Sequence, residues 1–360
     1  MNDFKLAYKH EKKSIDKAIA RVLRSGWFIL GEELKNFEKK LAEFLRVKYT
    51  IGVANGTEAI TLALISLGIK KGDEVITTNM TAYPTIIGIE QTGAKAVLVD
   101  IDPITGLIDP KEIIKHITKK TKAIVPVHMY GQACNMDEIL KISKKYHIQI
   151  MEDCAQSIGA KYKNKTTGTF CKVASLSFYP TKNLGALGDA GAIMTNDKSI
   201  YNKLLKLRNY GQSVRYFHEE QGINSRLDEI QAAILSEKLK KLSHNIKQRR
   251  KIAKLYDSTI KNSGYIPESK HCIHTYHLYV IKHKKRDELQ NFLRDNGVQS
   301  LIHYPVPINK QSAFKFQKNE KFPNTDRFTS EILSIPIYPE LKLSQAKKIA
   351  NIINKFEAIE

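Results

Sequence analysis

Ser175-Leu176-Ser177-Phe178-Tyr179-Pro180-Thr181-Lys182-Asn183-Leu184-Gly185 begins as a short apolar run and breaks into a turn that carries a lysine. The run has the composition of a buried strand, and Pro180 and Gly185 bracket the turn. A lone lysine between a proline and a glycine is ordinarily a surface loop. Its surroundings give it weight. Similar apolar runs fall at 74–77, 96–99, 123–127, 148–151 and 191–194. Between them lie helical periods, one opening at Asn55-Gly56-Thr57-Glu58 and one over 136–146. Continuous apolar strands separated by helices specify an α/β fold with a mainly parallel sheet covered by helices on both faces. Ligands of such sheets sit at the C-terminal ends of the strands.

After about residue 205 the pattern changes. A long helix is expected over 228–260, then a strand over 276–281 and a helix over 286–296. Proline-rich loops follow around Tyr304-Pro305-Val306-Pro307 and Ile335-Pro336-Ile337-Tyr338-Pro339, and a closing helix covers 344–356. This divides the chain into a large domain over 1–250 and a smaller C-terminal α+β domain over 251–360.

The 360 residues are enough for two cores. No apolar run reaches the ~18 residues of a membrane span, and the polar start, Met1 to Lys13, has no signal-peptide core. A cytoplasmic protein is expected. Cys134, Cys154, Cys171 and Cys272 form no C-x-x-C pair, which argues against zinc and against a disulfide framework. No metal is expected. The net charge of +21 raises nucleic acid or a phosphorylated substrate as partners. Lysines are spread along every helix rather than in one aromatic-interleaved stripe, so neither nucleic acid nor membrane is expected.

Four constellations fall at predicted strand ends: Ala54-Asn55-Gly56-Thr57, Met151-Glu152-Asp153-Cys154-Ala155-Gln156, the Lys182 turn, and Gly222-Ile223-Asn224-Ser225-Arg226-Leu227-Asp228. Singly, each reads as a cap or a turn. Gly185-Ala186-Leu187-Gly188-Asp189-Ala190-Gly191 has the wrong glycine spacing for a dinucleotide site and leads into a strand. Together the four suit pyridoxal phosphate, which needs a lysine, an acid against its ring nitrogen and donors around its phosphate. A carboxylate ~3 Å from a pyridinium gains about 5 kcal/mol before desolvation at an effective dielectric of ~20. Asp153 stands 29 residues before Lys182, on a neighbouring strand, and the amides of Gly56-Thr57 open a helix whose dipole favours phosphate.

These segments, with Pro126-Val127-His128-Met129-Tyr130-Gly131-Gln132 and Asn224-Ser225-Arg226-Leu227-Asp228-Glu229-Ile230-Gln231-Ala232-Ala233, resemble the DegT/DnrJ/EryC1/StrS sugar aminotransferases. The resemblance runs from Leu30-Gly31-Glu32-Glu33 to Ser334-Ile335-Pro336-Ile337-Tyr338-Pro339 and implies the fold of the type I (aspartate aminotransferase-like) enzymes. It implies Lys182 as the Schiff-base lysine, Asp153 on the pyridine nitrogen and Gln156 on the phenolic oxygen of pyridoxal 5'-phosphate. Gly56, Thr57 and Ser177 would hold the phosphate, and Asn224 would reach the phosphate of a neighbouring subunit, making a homodimer with shared active sites. An aromatic of the segment Thr81-Ala82-Tyr83-Pro84-Thr85 would stack on the ring; relatives carry it where Ala82 stands, and Tyr83 is the candidate here. Asn309 stands where relatives commonly have His, near the expected substrate end.

The implied activity is transfer of an amino group from L-glutamate to a nucleotide-linked keto-6-deoxy-sugar. The segment Arg215-Tyr216-Phe217-His218 and the Ser225 and Leu227 that flank Arg226 resemble the branch that aminates C3 of dTDP-sugars, with His218, His303 and Tyr304 as candidate substrate contacts. The alternative is amination at C4. A 3-dehydratase would have His at position 182, and a regulatory or nucleic-acid-binding role finds no supporting motif.

Overall fold

In the computed structural model, which describes residues 2–261, 263–269 and 271–359, the central sheet has seven strands of five residues each. They are β1 (Tyr49–Val53), β2 (Glu74–Thr78), β3 (Lys95–Val99), β4 (Thr121–Val125), β5 (Gln149–Asp153), β6 (Val173–Ser177) and β7 (Gly191–Thr195). The spatial order is β1-β7-β6-β5-β4-β2-β3. Every pair from β6 to β3 is parallel, while β7 runs antiparallel to both β6 and β1. The mainly parallel sheet expected from the apolar runs is present. The apolar pattern does not mark β1, because Thr50 and Gly52 interrupt it. Gly52 is needed there: a Cβ would lie 2.7 Å from Cδ1 of Leu34 in the Glu32–Leu45 helix.

Both faces of the sheet are buried. Val75, Leu98, Val125, Met151 and Ile193 pack on one face beneath the helices Gly56–Ser66 and Tyr83–Glu90. Ile76, Val97, Ile124 and Ile150 point to the other face, against Met136–Tyr146. Each such side chain contributes about 1.5–3 kcal/mol of burial. Adjacent residues on one strand thus serve different cores, which is why the strands read as unbroken apolar runs.

The long helix is present as Glu229–Thr259. Its first half joins the cluster with Leu34, Phe37 and Leu176, and its end joins Tyr279, Leu333 and Ile353 in another. There it meets a three-stranded antiparallel sheet of Gly264–Tyr265, Tyr279–Lys282 and Ile332–Ile335, with the helices Arg286–Asp295 and Leu343–Ile359. The strand expected from 276 starts at Tyr279, because Tyr276 has a φ of 46° and cannot continue extended backbone. Glu229 ties the two halves of the chain: its carboxylate accepts from the amides of Gly31 (2.8 Å), Glu33 (2.8 Å) and Leu34 (3.0 Å), capping the Glu32–Leu45 helix. Among the described residues no helix is long and apolar enough to cross a membrane.

Candidate active site

The C-terminal ends of the parallel strands deliver the sequence candidates to one place. Asp153 is the last residue of β5 and Ser177 the last of β6, from which the chain turns to Lys182. A cavity of about 700 Å³ opens beside them. Gly56, Thr57, Tyr83, Asp153, Gln156, Ser177, Lys182 and Tyr304 all line it.

Asp153 is buried at its floor. One carboxylate oxygen accepts from the amide of Ala155 (3.0 Å) and the other from the hydroxyl of Thr85 (3.0 Å). Burial nevertheless holds its pKa above the usual carboxylate value, with those two donors and the charge of Lys182 pulling back. Lys182 is half-buried in the wall, and no side chain among the described residues hydrogen-bonds its Nζ. Burial lowers its pKa to about 8, opposed by Asp153. Desolvation disfavours both charges, and each partner restores part of the other's. The turn that presents Lys182 is tight: a Cβ on Gly185 would stand 2.2 Å from the carbonyl of Pro180.

The Gly56–Ser66 helix points its N-terminus at the same cavity. Asn55 caps it, its side chain accepting from Glu58 N (2.9 Å) and its carbonyl from Ala59 N (3.1 Å). The amides of Gly56 and Thr57 have no acceptor within the helix and remain for an anion. Gly56 is pressed on β6, since a Cβ there would lie 2.7 Å from Cβ of Ser177.

Opposite, Tyr130 N donates to Gln156 Oε1 (2.8 Å), which turns Gln156 Nε2 toward the Tyr304 hydroxyl (3.2 Å). Burial raises the Tyr304 pKa to about 12, so the phenol stays protonated. His303 Nδ1 lies 3.0 Å from the hydroxyl of Ser334, and burial, then the charge of Lys182, lowers its pKa to about 4.

The DegT/DnrJ/EryC1/StrS aminotransferase family model matches residues 9–354. The chain belongs to this family. It is 42% identical over 99% of its length to a Geobacillus stearothermophilus protein described as a pleiotropic regulatory protein, matching 98% of that chain. It is 45% identical to the dTDP-3-amino-3,6-dideoxy-alpha-D-galactopyranose transaminase of Aneurinibacillus thermoaerophilus, over 96% of each chain. Among solved structures, DesV of S. venezuelae in complex with a ketimine intermediate superposes with a TM-score of 0.95 at 37% identity, covering 98% of this chain and 97% of that one.

As a DegT/DnrJ/EryC1/StrS enzyme the chain is a pyridoxal-phosphate-dependent aminotransferase. The cavity fits that cofactor. It offers two unpaired helix-terminal amides and a serine hydroxyl for a phosphate, a buried carboxylate for a ring nitrogen, and an unpartnered amine for an aldehyde.

Three sequence candidates lie elsewhere in the subunit. Asn224 is exposed and outside the cavity, bridged to Asn209. His218 ends an exposed hairpin, and its Nδ1 lies 2.8 Å from the carbonyl of Tyr210. His303 is set behind Tyr304 rather than in the lining. Asn309, which stands where relatives commonly have His, is buried against Asn79. Asn79 Nδ2 donates to Asn309 Oδ1 (3.0 Å), and Asn309 N donates to Asn79 Oδ1 (2.9 Å).

Thr85 is a contact that the motifs did not single out, although it lies in the quoted segment beside Tyr83; its place on the first turn of the Tyr83–Glu90 helix aims it at Asp153. Ala82 and Tyr83 both line the cavity. Behind β5, Glu152 accepts from Gly168 N (2.7 Å), Phe170 N (2.9 Å), Cys171 N (3.1 Å) and His128 Nε2 (3.1 Å), while Cys134 N donates to His128 Nδ1 (3.0 Å). Cys154 completes this buried trio with His128 and Glu152, whose oxygens and ring nitrogens are already engaged.

Proposed function

We propose that the enzyme transfers nitrogen from L-glutamate to a dTDP-linked 3-keto-6-deoxy-sugar, giving the 3-amino sugar. The observation that carries this reading is the meeting of Lys182 and Asp153 on one cavity with the Gly56 and Thr57 amides. When bound there, pyridoxal phosphate supplies the electron sink for the carbon that loses its proton. Lys182 takes that proton at Nζ and returns one on the other side of the transfer, a role suited by a pKa of about 8. Asp153 would favour a positive charge on the ring nitrogen, Gln156 would bond the phenolic oxygen and Tyr83 would stack on the ring, with Tyr304 left as a substrate contact.

Regiochemistry at C3 is supported by the name of the Aneurinibacillus relative and by Ser225 and Leu227 around Arg226. Asn224, exposed beside a hairpin with Tyr216 and Phe217 also exposed, suits completion of the phosphate site of a second copy. The homodimer with shared sites, the division at 250/251, cytoplasmic location and His218 and His303 as sugar contacts belong to the same reading.

The test is turnover of dTDP- and UDP-linked 3-keto and 4-keto sugars with glutamate, with NMR of the product to locate the nitrogen. The 3-amino product from a 3-keto substrate is expected. A 4-amino product from a 4-keto sugar, with the 3-keto isomer untouched, defeats the C3 assignment.

A further inference from the structure

Tyr130 is 1% exposed and lies in the turn that follows β4, between Val127 and Gln132. It is not part of the lining of the large cavity, yet it holds two residues of that lining in place. Its amide donates to Gln156 Oε1 (2.8 Å), and its hydroxyl donates to the carbonyl of His303 (2.5 Å), the residue before Tyr304. The backbone at Tyr130 is left-handed, with a φ of 61°, a region sparsely populated by residues with a Cβ. Such a conformation persists where its surroundings over-determine it. Here they do. The Tyr130 carbonyl accepts from Leu278 N (3.3 Å), and that of Gly131 from Thr275 N (2.8 Å). A Cβ on Gly131 would stand 2.7 Å from Thr275 Oγ1 and 2.9 Å from the amides of Tyr276 and His277. The turn is thus pressed on the segment that leads into the strand Tyr279–Lys282.

The directions of the bonds around Gln156 follow from donor and acceptor chemistry. A backbone N–H can only donate, so the Tyr130 amide faces the carboxamide oxygen of Gln156, and Nε2 is left to face Tyr304. An amide nitrogen cannot accept, so in that 3.2 Å bond the Tyr304 oxygen is the acceptor. The Tyr304 hydrogen is not used there, and among the described residues nothing else accepts it. Burial, then the charge of Asp153, holds the Tyr304 pKa up at about 12, which keeps that hydrogen in place. Three donors therefore run in one direction, from Tyr130 N through Gln156 to Tyr304, and the last belongs to the cavity wall. Gln156 Nε2 keeps its second hydrogen for another acceptor.

On the reading of Tyr304 as a sugar contact, we propose that Tyr130 is a positioning residue for the sugar substrate. Its amide orients Gln156 and its phenol fixes the backbone at His303, and together they leave the Tyr304 hydroxyl as a donor to an oxygen of the sugar. The contact has one direction, so a keto or ring oxygen suits it as well as a hydroxyl does.

Binding is read by titrating the holoenzyme with the amino-sugar product of its best substrate in the panel above. Tyr304→Phe removes the last donor and should weaken binding about tenfold. Tyr130→Phe keeps the buried ring and the amide but frees the His303 carbonyl, and should weaken it about threefold. With both changes together, binding should be no weaker than in Tyr304→Phe alone, because the Tyr130 phenol then has no donor left to position. A merely structural Tyr130 would give the product of the two effects, about thirtyfold, and that result overturns the proposal. In turnover by Tyr130→Phe, KM for the sugar should follow the binding loss while kcat stays within about twofold of native. A crystal structure of the native holoenzyme with the same product needs no variant: Tyr304 Oη should lie within hydrogen-bond distance of a sugar oxygen, and Oη facing no acceptor overturns the assignment. Native-like binding by Tyr130→Phe alone defeats the positioning role and leaves Tyr304 standing. Native-like binding by Tyr304→Phe defeats the sugar contact, and the positioning role with it.

Discussion

The hydroxyl of Thr85 donates a 3.0 Å hydrogen bond to Oδ2 of Asp153, from a helix turn 68 residues earlier in the chain. This bond favours the ionised carboxylate in a place where burial disfavours it. Thr85→Val should raise the Asp153 pKa further. The carboxylate would then be protonated at a higher pH on descent from neutrality, and the acid limb of the kcat/KM profile should move to higher pH. An unmoved acid limb would show that Asp153 does not govern it.

Asp153→Asn keeps the shape and removes the charge. The expected loss is about 100-fold in kcat, or about 2.7 kcal/mol of barrier. Steady-state kinetics on protein with its cofactor content measured separately distinguishes lost chemistry from lost binding.

Lys182→Ala should abolish turnover and the borohydride-reducible link between protein and cofactor. The lowered pKa of Lys182, about 8 against 10.5, adds a stability consequence for the apoprotein. Between those values the unfolded chain holds the proton that the folded chain has released, so this group's contribution to stability grows as pH rises across the window. Denaturant unfolding of the apoprotein from pH 8 to 10, native against Lys182→Met, reads it: the difference between the two should change across that range.

If Asn224 completes a neighbour's site, subunits inactive through Lys182→Ala and subunits damaged by Asn224→Ala should recover activity when mixed. Each heterodimer then contains one site with both residues intact. Subunit exchange followed by mass spectrometry, with no gain in activity, would count against sharing.

Asn309→Leu removes the acceptor of Asn79 Nδ2, a fully buried side chain, and keeps the bond from the backbone N of residue 309 to Asn79 Oδ1. The stranded Asn79 amide should lower stability by about 2 kcal/mol, read as a shift of the denaturation midpoint. Because the pair lies outside the cavity lining, Asn309→Ser at low denaturant should disturb KM for the sugar less than a change at Tyr304 does.

What was legible in the chain was the part with a one-dimensional signature. Buried strands ending in Asp153 and Ser177 announce themselves through apolar runs, and Gly185 through the turn it permits. The 31 residues of the long helix show in their period. Contacts between distant segments leave no such trace. Asn309 stands where relatives commonly have His, and nothing in its own segment shows that Asn79, 230 residues away, holds it inward. Thr85 was hidden because a threonine on a first helical turn is common, and its value depends on Asp153 arriving from another strand. The same limit concealed β1, whose Gly52 makes sense only once Leu34 is beside it.

The reversed strand β7 has a consequence for the order in which the enzyme is assembled. β1 lies at the edge of the sheet, and its sheet partner is β7. Every residue from 54 to 190 must therefore leave the ribosome before β1 can pair, at about 5–20 residues per second. The Gly56–Ser66 helix, which follows β1 directly, rests against β6 and β7, so its anion-binding end takes its place only when those strands exist. A nascent chain halted before Gly191 would carry Asp153 and Lys182 yet have no finished seat for a phosphate. Cofactor capture is in this way reserved for a late stage of synthesis, after the parallel strands have had time to associate.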